Sequence, residues 1–214
     1  MSLHARALAL ARGERQLFDG LAFEVNAGQA LRVAGANGAG KTSLLRVLCG
    51  LSRADEGQVM WKGRDITEDR AGFASCMAYV GHADAIKHDL LAWENLAFGA
   101  LAGQPDARAT ALALLESEGL GAQAMLPARA LSQGQRRRLA LARLQLCASD
   151  SLWILDEPFS HLDAGACARL AAQLERHCAG GGMLVYTSHG DDIVAGAALL
   201  DLNAHSNGGA ERAC

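Results

Sequence analysis

Eight consecutive residues, Gly35-Ala36-Asn37-Gly38-Ala39-Gly40-Lys41-Thr42, space glycines, a lysine and a hydroxyl as a loop that holds a chain of phosphates requires. Glycines permit backbone turns closed to other residues, so that successive N–H groups point inward at phosphate oxygens. Lys41 can reach the outer phosphates, and the hydroxyl of Thr42, next to Ser43, can sit on Mg²⁺. A helix starting at about Lys41 would add the positive end of its dipole. The apolar run 30–34, Ala-Leu-Arg-Val-Ala, reads as the strand that feeds the loop. A chance glycine-rich turn would not match every fixed position in a strand, loop and helix context. The chemistry implied is that of a nucleoside triphosphate, ATP or GTP, with Mg²⁺.

A second chemical pair lies far downstream. In Ser151-Leu152-Trp153-Ile154-Leu155-Asp156-Glu157-Pro158 an apolar strand ends in two acids, the pattern of a Walker B segment. Asp156 would face the Mg²⁺ shell, and Glu157 would orient and deprotonate an attacking water. Two carboxylates after a strand can also be an exposed turn. Between loop and acids, Leu131-Ser132-Gln133-Gly134-Gln135 opens a helix that runs on through Arg136-Arg137-Arg138. Locally this is a capped helix start, with Ser132 as N-cap and Gln135 three residues on. The three arginines form the one local basic run, and most such runs are solvated helix faces.

These residues need elements to position them, and 214 residues suffice for one substantial core. Half the chain is hydrophobic and 20% is charged, the composition of an ordinary globular protein. The net charge of −3 offers no overall basic field, so no nucleic-acid partner is expected. Six cysteines are scattered without a C-x-x-C pair, and four sit in apolar segments, which reads as buried thiols in a reducing compartment. No haem-attachment sequence occurs, so direct haem binding is not expected. No signal-peptide pattern or bilayer-length apolar run is present, and membrane work would depend on another subunit.

Residues 2–34 alternate as a small antiparallel sheet, and short strands follow at 58–61 and 77–80. From about 84 to 148 the pattern becomes helical, with periods over 93–101, 107–118 and 133–147 broken by Pro105 and Pro127. Residues 152–155 and 183–187 read as buried parallel strands joined by a crossover helix over 164–177. The expectation is a doubly wound α/β core in a single domain over 1–214, with an antiparallel β subdomain, a helical subdomain at about 84–148 and a tail, 203–214, that frays.

Taken together, the loop, the Ser132 to Gln135 segment and the acidic strand end resemble the ATP-binding cassette (ABC) ATPases. The resemblance implies that Ser132, Gln133, Gly134 and Gln135 form a signature motif that closes over the γ-phosphate held by a second copy, so that a homodimer sandwiches two ATP molecules. Gln133 stands where the family usually has glycine. His189, in Thr187-Ser188-His189, fits the family's switch histidine, and Asp163 fits its D-loop, with His161 where a small residue is more usual. His82 occupies the position of a glutamine that senses Mg²⁺ and the transport subunit. Arg12 or Arg15 stands where an aromatic normally stacks on adenine, and a guanidinium plane can also stack on a base.

Gly81-His82, Ile86-Lys87, Glu94-Asn95-Leu96, the 135–144 helix and Trp153 to Phe159 are similar to one branch, the ATPase of the haem-exporter system of bacterial cytochrome c maturation. That branch implies an integral membrane ABC partner, a peripheral place on the cytoplasmic face of the inner membrane, and ATP hydrolysis driving haem export or release of a haem-loaded chaperone. Another ABC exporter, a soluble ABC ATPase or a nucleotide-sensing module are the alternatives. The segment 82–98 is the candidate docking surface, although Ile86, Leu90, Leu91 and Trp93 serve a helical core equally well.

Overall fold

Alternating apolar positions make the first two strands. β1 (Ser2–Arg12) and β2 (Arg15–Asn26) pair antiparallel, with Leu3 opposite Val25 and Leu10 opposite Phe18. The structure, a computed structural model, describes residues 1–98, 101–188 and 194–205. The chain next enters a buried strand, β3 (Ala30–Ala34), turns through the glycine loop and forms α1 (Lys41–Leu48). β4 (Glu56–Trp61) and β5 (Arg64–Asp65) complete an antiparallel sheet in the order β2-β1-β4-β5.

A second sheet carries the chemistry. After α2 (Arg70–Ser75) come β6 (Met77–Val80), β7 (Leu152–Leu155), β8 (Met183–Thr187) and β9 (Ala198–Asp201). Their order is β6-β7-β8-β3-β9, and β8 runs parallel to both β7 and β3. Every residue of β7 and β8 is buried, as expected for strands covered on both faces. The fold is therefore α/β, with a parallel core sheet and a separate antiparallel sheet.

The chain divides into two compact units, one comprising residues 1–79, 149–157 and 171–214 and the other 80–148 and 158–170. In the first, Leu3, Leu8, Phe18 and Leu21 from the antiparallel sheet join Val33, Leu44, Leu45, Ile154 and Val185 in one hydrophobic core. A fully buried leucine contributes about 2 kcal/mol at this level of burial, so this cluster holds the sheets in place.

The second unit is built on α3 (Ala92–Ala97), α4 (Ala107–Ser117) and α5 (Gln133–Ala142). Its core gathers Leu96, Leu115, Leu120 and Leu139 with Ala92, Ala111 and Ala142. Two helices are shorter than their periodicity predicts. α3 stops where Phe98 turns extended, and α5 passes at Arg143–Leu146 into a tighter 3₁₀ turn, which buries Leu144 before Cys147 turns extended. α6 (Ala164–Ala179) crosses the boundary between the units.

Candidate functional site

The glycine loop forms because β3 must turn sharply into α1. Gly38 and Gly40 take φ of 80° and 98°, a region that side chains rarely enter, and Gly40 caps α1 from there. Lys41, the first helical residue, is buried, and its ammonium donates to the carbonyls of Gly35 at 2.7 Å and Ala36 at 3.2 Å. The lysine thus arches back over its own loop. Asn37, Gly38, Gly40, Thr42 and Ser43 line a cavity of about 430 Å³ with Lys41 and Glu157. Ala39 is buried, filling the space beneath the loop.

The acids arrive from β7. Asp156 is 1% exposed, and its Oδ2 accepts from the Thr42 hydroxyl at 2.7 Å. Its Oδ1 accepts from the Thr187 hydroxyl at 2.8 Å, and that same hydroxyl accepts from the Glu157 N–H at 2.7 Å. Glu157 has φ of 49°. A left-handed backbone at a non-glycine residue costs about 1–2 kcal/mol, so this conformation persists because neighbouring groups hold it. A buried carboxylate beside a hydroxyl is a hard oxygen donor pair suited to Mg²⁺, which takes few protein ligands and completes its shell with phosphate and water. Among the described residues no group of three or more His, Cys, Asp or Glu is placed to hold a metal.

The carboxylate field reaches its neighbours. Burial first, then Asp156, raises the Tyr79 phenol to about 12. The same two causes, in the same order, push the buried Cys49 thiol well above its usual range. Cys49 is the one buried thiol among the five described cysteines, whereas Cys76, Cys147, Cys167 and Cys178 are half-buried, fewer in the core than their apolar surroundings predict. All five are free thiols.

Arg12 and Arg15 line the same cavity as the glycine loop. Residue types alone do not choose between them, and both side chains border that cavity. Asn203 was expected to belong to a fraying tail. Instead Leu202–His205 forms a 3₁₀ turn with Leu202 fully buried, and the Asn203 side-chain oxygen accepts from the Ala36 N–H at 3.1 Å. Residues 206–214 and His189 lie outside the described residues.

The second unit holds the segment from Ser132 to Gln135. Ser132 caps α5 by accepting from Gln135 N–H at 3.2 Å, while Gln135 Oε1 accepts from Ser132 N–H at 2.8 Å, a reciprocal capping box. Ser132 and Gln133 are exposed at this helix start, where a dipole favours an anion. A Cβ on Gly134 would stand 2.7 Å from the His161 carbonyl, so only glycine fits there. His161 itself takes φ of 66°, the left-handed region that histidine enters more readily than most side chains. Asp163 caps the next helix through the Ala166 N–H at 2.8 Å, and that bond is the main reason its carboxyl sits below the usual range.

The three arginines are not a solvated face. Arg137 is 3% exposed, and its guanidinium binds Asp84 Oδ1 at 2.9 Å, the Gly81 carbonyl at 2.9 Å and the Pro158 carbonyl at 3.4 Å. It therefore clamps the residues on either side of exposed His82 and the residue after Glu157. Arg136 reaches the Leu131 carbonyl, and Arg138 the Glu118 carbonyl. A run of arginines in the sequence says nothing about which one turns inward. Asn95, 1% exposed, similarly organises the 87–91 loop, binding both main-chain groups of Lys87 and the carbonyl of Leu91. Ile86 and Trp93 pack against the helical core, while Phe98 is 63% exposed beneath the Lys87 ammonium.

A glycine loop between a parallel strand and a helix, facing a Walker-type acid pair, defines a P-loop nucleotide-binding fold. A family model described as ABC transporter matches residues 18–160, and the chain belongs to that family. It is an ABC-type ATPase subunit. It is 50% identical over 190 residues to the cytochrome c biogenesis ATP-binding export protein CcmA of Aromatoleum aromaticum, covering 88% of this chain and 89% of the relative. The protein of the same name from Nitrosomonas europaea is 48% identical over 194 residues, covering 90% and 91%. Among solved structures, a dimeric ATP-binding cassette in a post-hydrolysis state with ADP and Pi matches with a TM-score of 0.79 at 19% identity over 90% of each chain. A nucleotide-free cassette from an ABC transporter matches with a TM-score of 0.76 at 22% identity, over 94% of this chain and 87% of the other. These two likenesses speak for the fold.

Proposed function

We propose that this chain is the ATPase subunit of an ABC complex that powers haem export, or release of a haem-loaded chaperone, during c-type cytochrome biogenesis. The similarity to relatives named for that process, close to 50% identical over about nine-tenths of the chain, carries the reading. Two copies would enclose two ATP molecules. Each site would join Lys41, Thr42, Asp156, Glu157 and His189 of one copy to Ser132 and Gly134 of a second. Lys41 exchanges its loop carbonyls for the outer phosphates, and the loop amides take the remaining oxygens. Thr42 and Asp156 would hold Mg²⁺, which neutralises charge developing between the β- and γ-phosphates. Glu157 accepts the proton of the attacking water.

His82 and Asp163 would couple the sites to each other and to an integral membrane partner, which would place the chain at the inner face of the membrane. No described helix is long and apolar enough to cross a bilayer. The test replaces a bacterial host's own ATPase gene with this one and measures covalent haem in c-type cytochromes. Restoration by the parent and not by Glu157→Gln is expected. An expressed, folded parent that joins the host's membrane subunit yet restores nothing would shift the cargo to that of another ABC exporter.

A further inference from the structure

We propose that the hydroxyl of Thr187 is a positioning group for hydrolysis, setting the Mg²⁺-facing carboxylate and the base-bearing backbone at once; this rests on the site reading above. Parallel pairing of β7 with β8 places Leu155 opposite Tyr186, so the next residues, Asp156 and Thr187, emerge side by side at the strand ends. β8 also pairs with β3, with Val33 opposite Thr187. Thr187 therefore stands between the strand that feeds the glycine loop and the strand that delivers the acids.

Its side chain is fully buried, and its one hydroxyl uses both of its capacities. The proton goes to Asp156 Oδ1 at 2.8 Å, and a lone pair takes the Glu157 N–H at 2.7 Å. The first bond fixes the carboxylate so that Oδ2 meets Thr42. The second restrains Glu157 at its left-handed φ of 49°. The rest of β8, Met183, Leu184, Val185 and Tyr186, is buried as well, and a valine of the same shape would pack at 187. What valine lacks is the oxygen. Removing it deletes one hydrogen bond from the Glu157 N–H and one from the Asp156 carboxylate, and with them the link between the two residues.

The experiment compares parent, Thr187→Val, Thr187→Ser and Glu157→Gln as full chains. Each is checked for folding by thermal unfolding, then for ATP affinity with and without Mg²⁺ and for phosphate release in a single turnover. Outer-shell partners of metal ligands typically matter by about 10–100-fold. Thr187→Val should lose about that much in turnover and most of the gain in ATP affinity that Mg²⁺ gives, while metal-free ATP binding stays within about twofold. Thr187→Ser should recover both to within about threefold of the parent, because it restores the oxygen without the methyl.

Parental turnover and Mg²⁺ response in Thr187→Val, with Glu157→Gln inactive, would overturn the inference alone. So would a serine variant that folds but is as impaired as valine, since shape and not the hydroxyl would then matter. Should the valine variant fail to fold, Thr187→Cys, similar in size with a weak donor, is expected to fall between serine and loss. Parental turnover in Glu157→Gln would overturn the site reading and the inference with it.

Discussion

The glycine-loop unit and the helical unit hold their key residues in different ways. In the first, the bonds are long-range in sequence: Thr42 to Asp156, Asp156 to Thr187, and Ala36 to Asn203. In the second, Ser132 and Gln135 satisfy each other within one helical turn, and Gly134 fits against His161. The placement of the acid pair against Thr42 and Thr187 is therefore a product of sheet register. The Ser132 segment is a capped helix start with an exposed polar edge of the kind that suits an anion. The proposed two-copy ATP sandwich would use that contrast, with one part rigid before ATP arrives and the other accepting it from outside.

The contrast breaks most visibly at Glu157. Glu157→Gln should lower turnover by about 10²–10⁴, as loss of a positioned base does, while ATP remains bound and can be recovered with the protein after gel filtration. Undiminished phosphate release would remove Glu157 from the role of base. Next in size is Arg137→Ala. Asp84 is only partly buried, so the loss is that of a charge-assisted hydrogen bond, about 1.5–3 kcal/mol, and chemical denaturation should register a loss of that order.

A sharper probe of the helical unit is Ser132→Asp. Aspartate caps helices about as well as serine, so the melting temperature should hold, whereas Ser132→Ala should cost about 1 kcal/mol. A carboxylate at that edge repels phosphate, so ATP-dependent dimerisation, followed by light scattering with the Glu157→Gln background, should weaken in the aspartate variant. Equal dimerisation by serine and aspartate forms would show that this helix start meets no phosphate.

The smallest expected effect belongs to the glycine-loop unit. His177 stacks on Trp153 with ring centroids 3.6 Å apart, and its Nε2 lies 3.0 Å from the Ser151 carbonyl. Burial holds its pKa below the ordinary 6.5 despite hydrogen bonds with the backbone of Met183 and Ser151 that favour the proton. The folded state thus disfavours protonation. Stability is full above about pH 6.5 and declines as pH falls below it, because the unfolded chain takes up the proton first. Denaturation midpoints across that range should decline less in His177→Gln than in the parent; parallel declines would assign the acid sensitivity to other groups.

Much of this was legible from residue order. The loop at 35–42, its strand at 30–34 and the helix start at Lys41 follow from glycine spacing and an apolar run, which are local properties. The capping box at Ser132 and Gln135 is likewise written within four residues. The helical periods over 93–101 and 133–147 outrun α3 and α5, because alanine and leucine keep that period through residues where tertiary packing turns the chain. Arg137 was read as surface, since charge alone does not reveal the Asp84 carboxylate and two carbonyls waiting inside.

By itself, then, the chain order determined the phosphate loop, the acid pair, the capped signature helix and the α/β alternation, because each depends on neighbours within a few residues. Only the tertiary structure decided that Thr187 joins Asp156 to Glu157, that Asn203 braces Ala36 and that Arg137 turns inward. Those roles depend on strand register and on carbonyls and carboxylates brought close from distant segments, and buried polar groups must find partners wherever the fold delivers them.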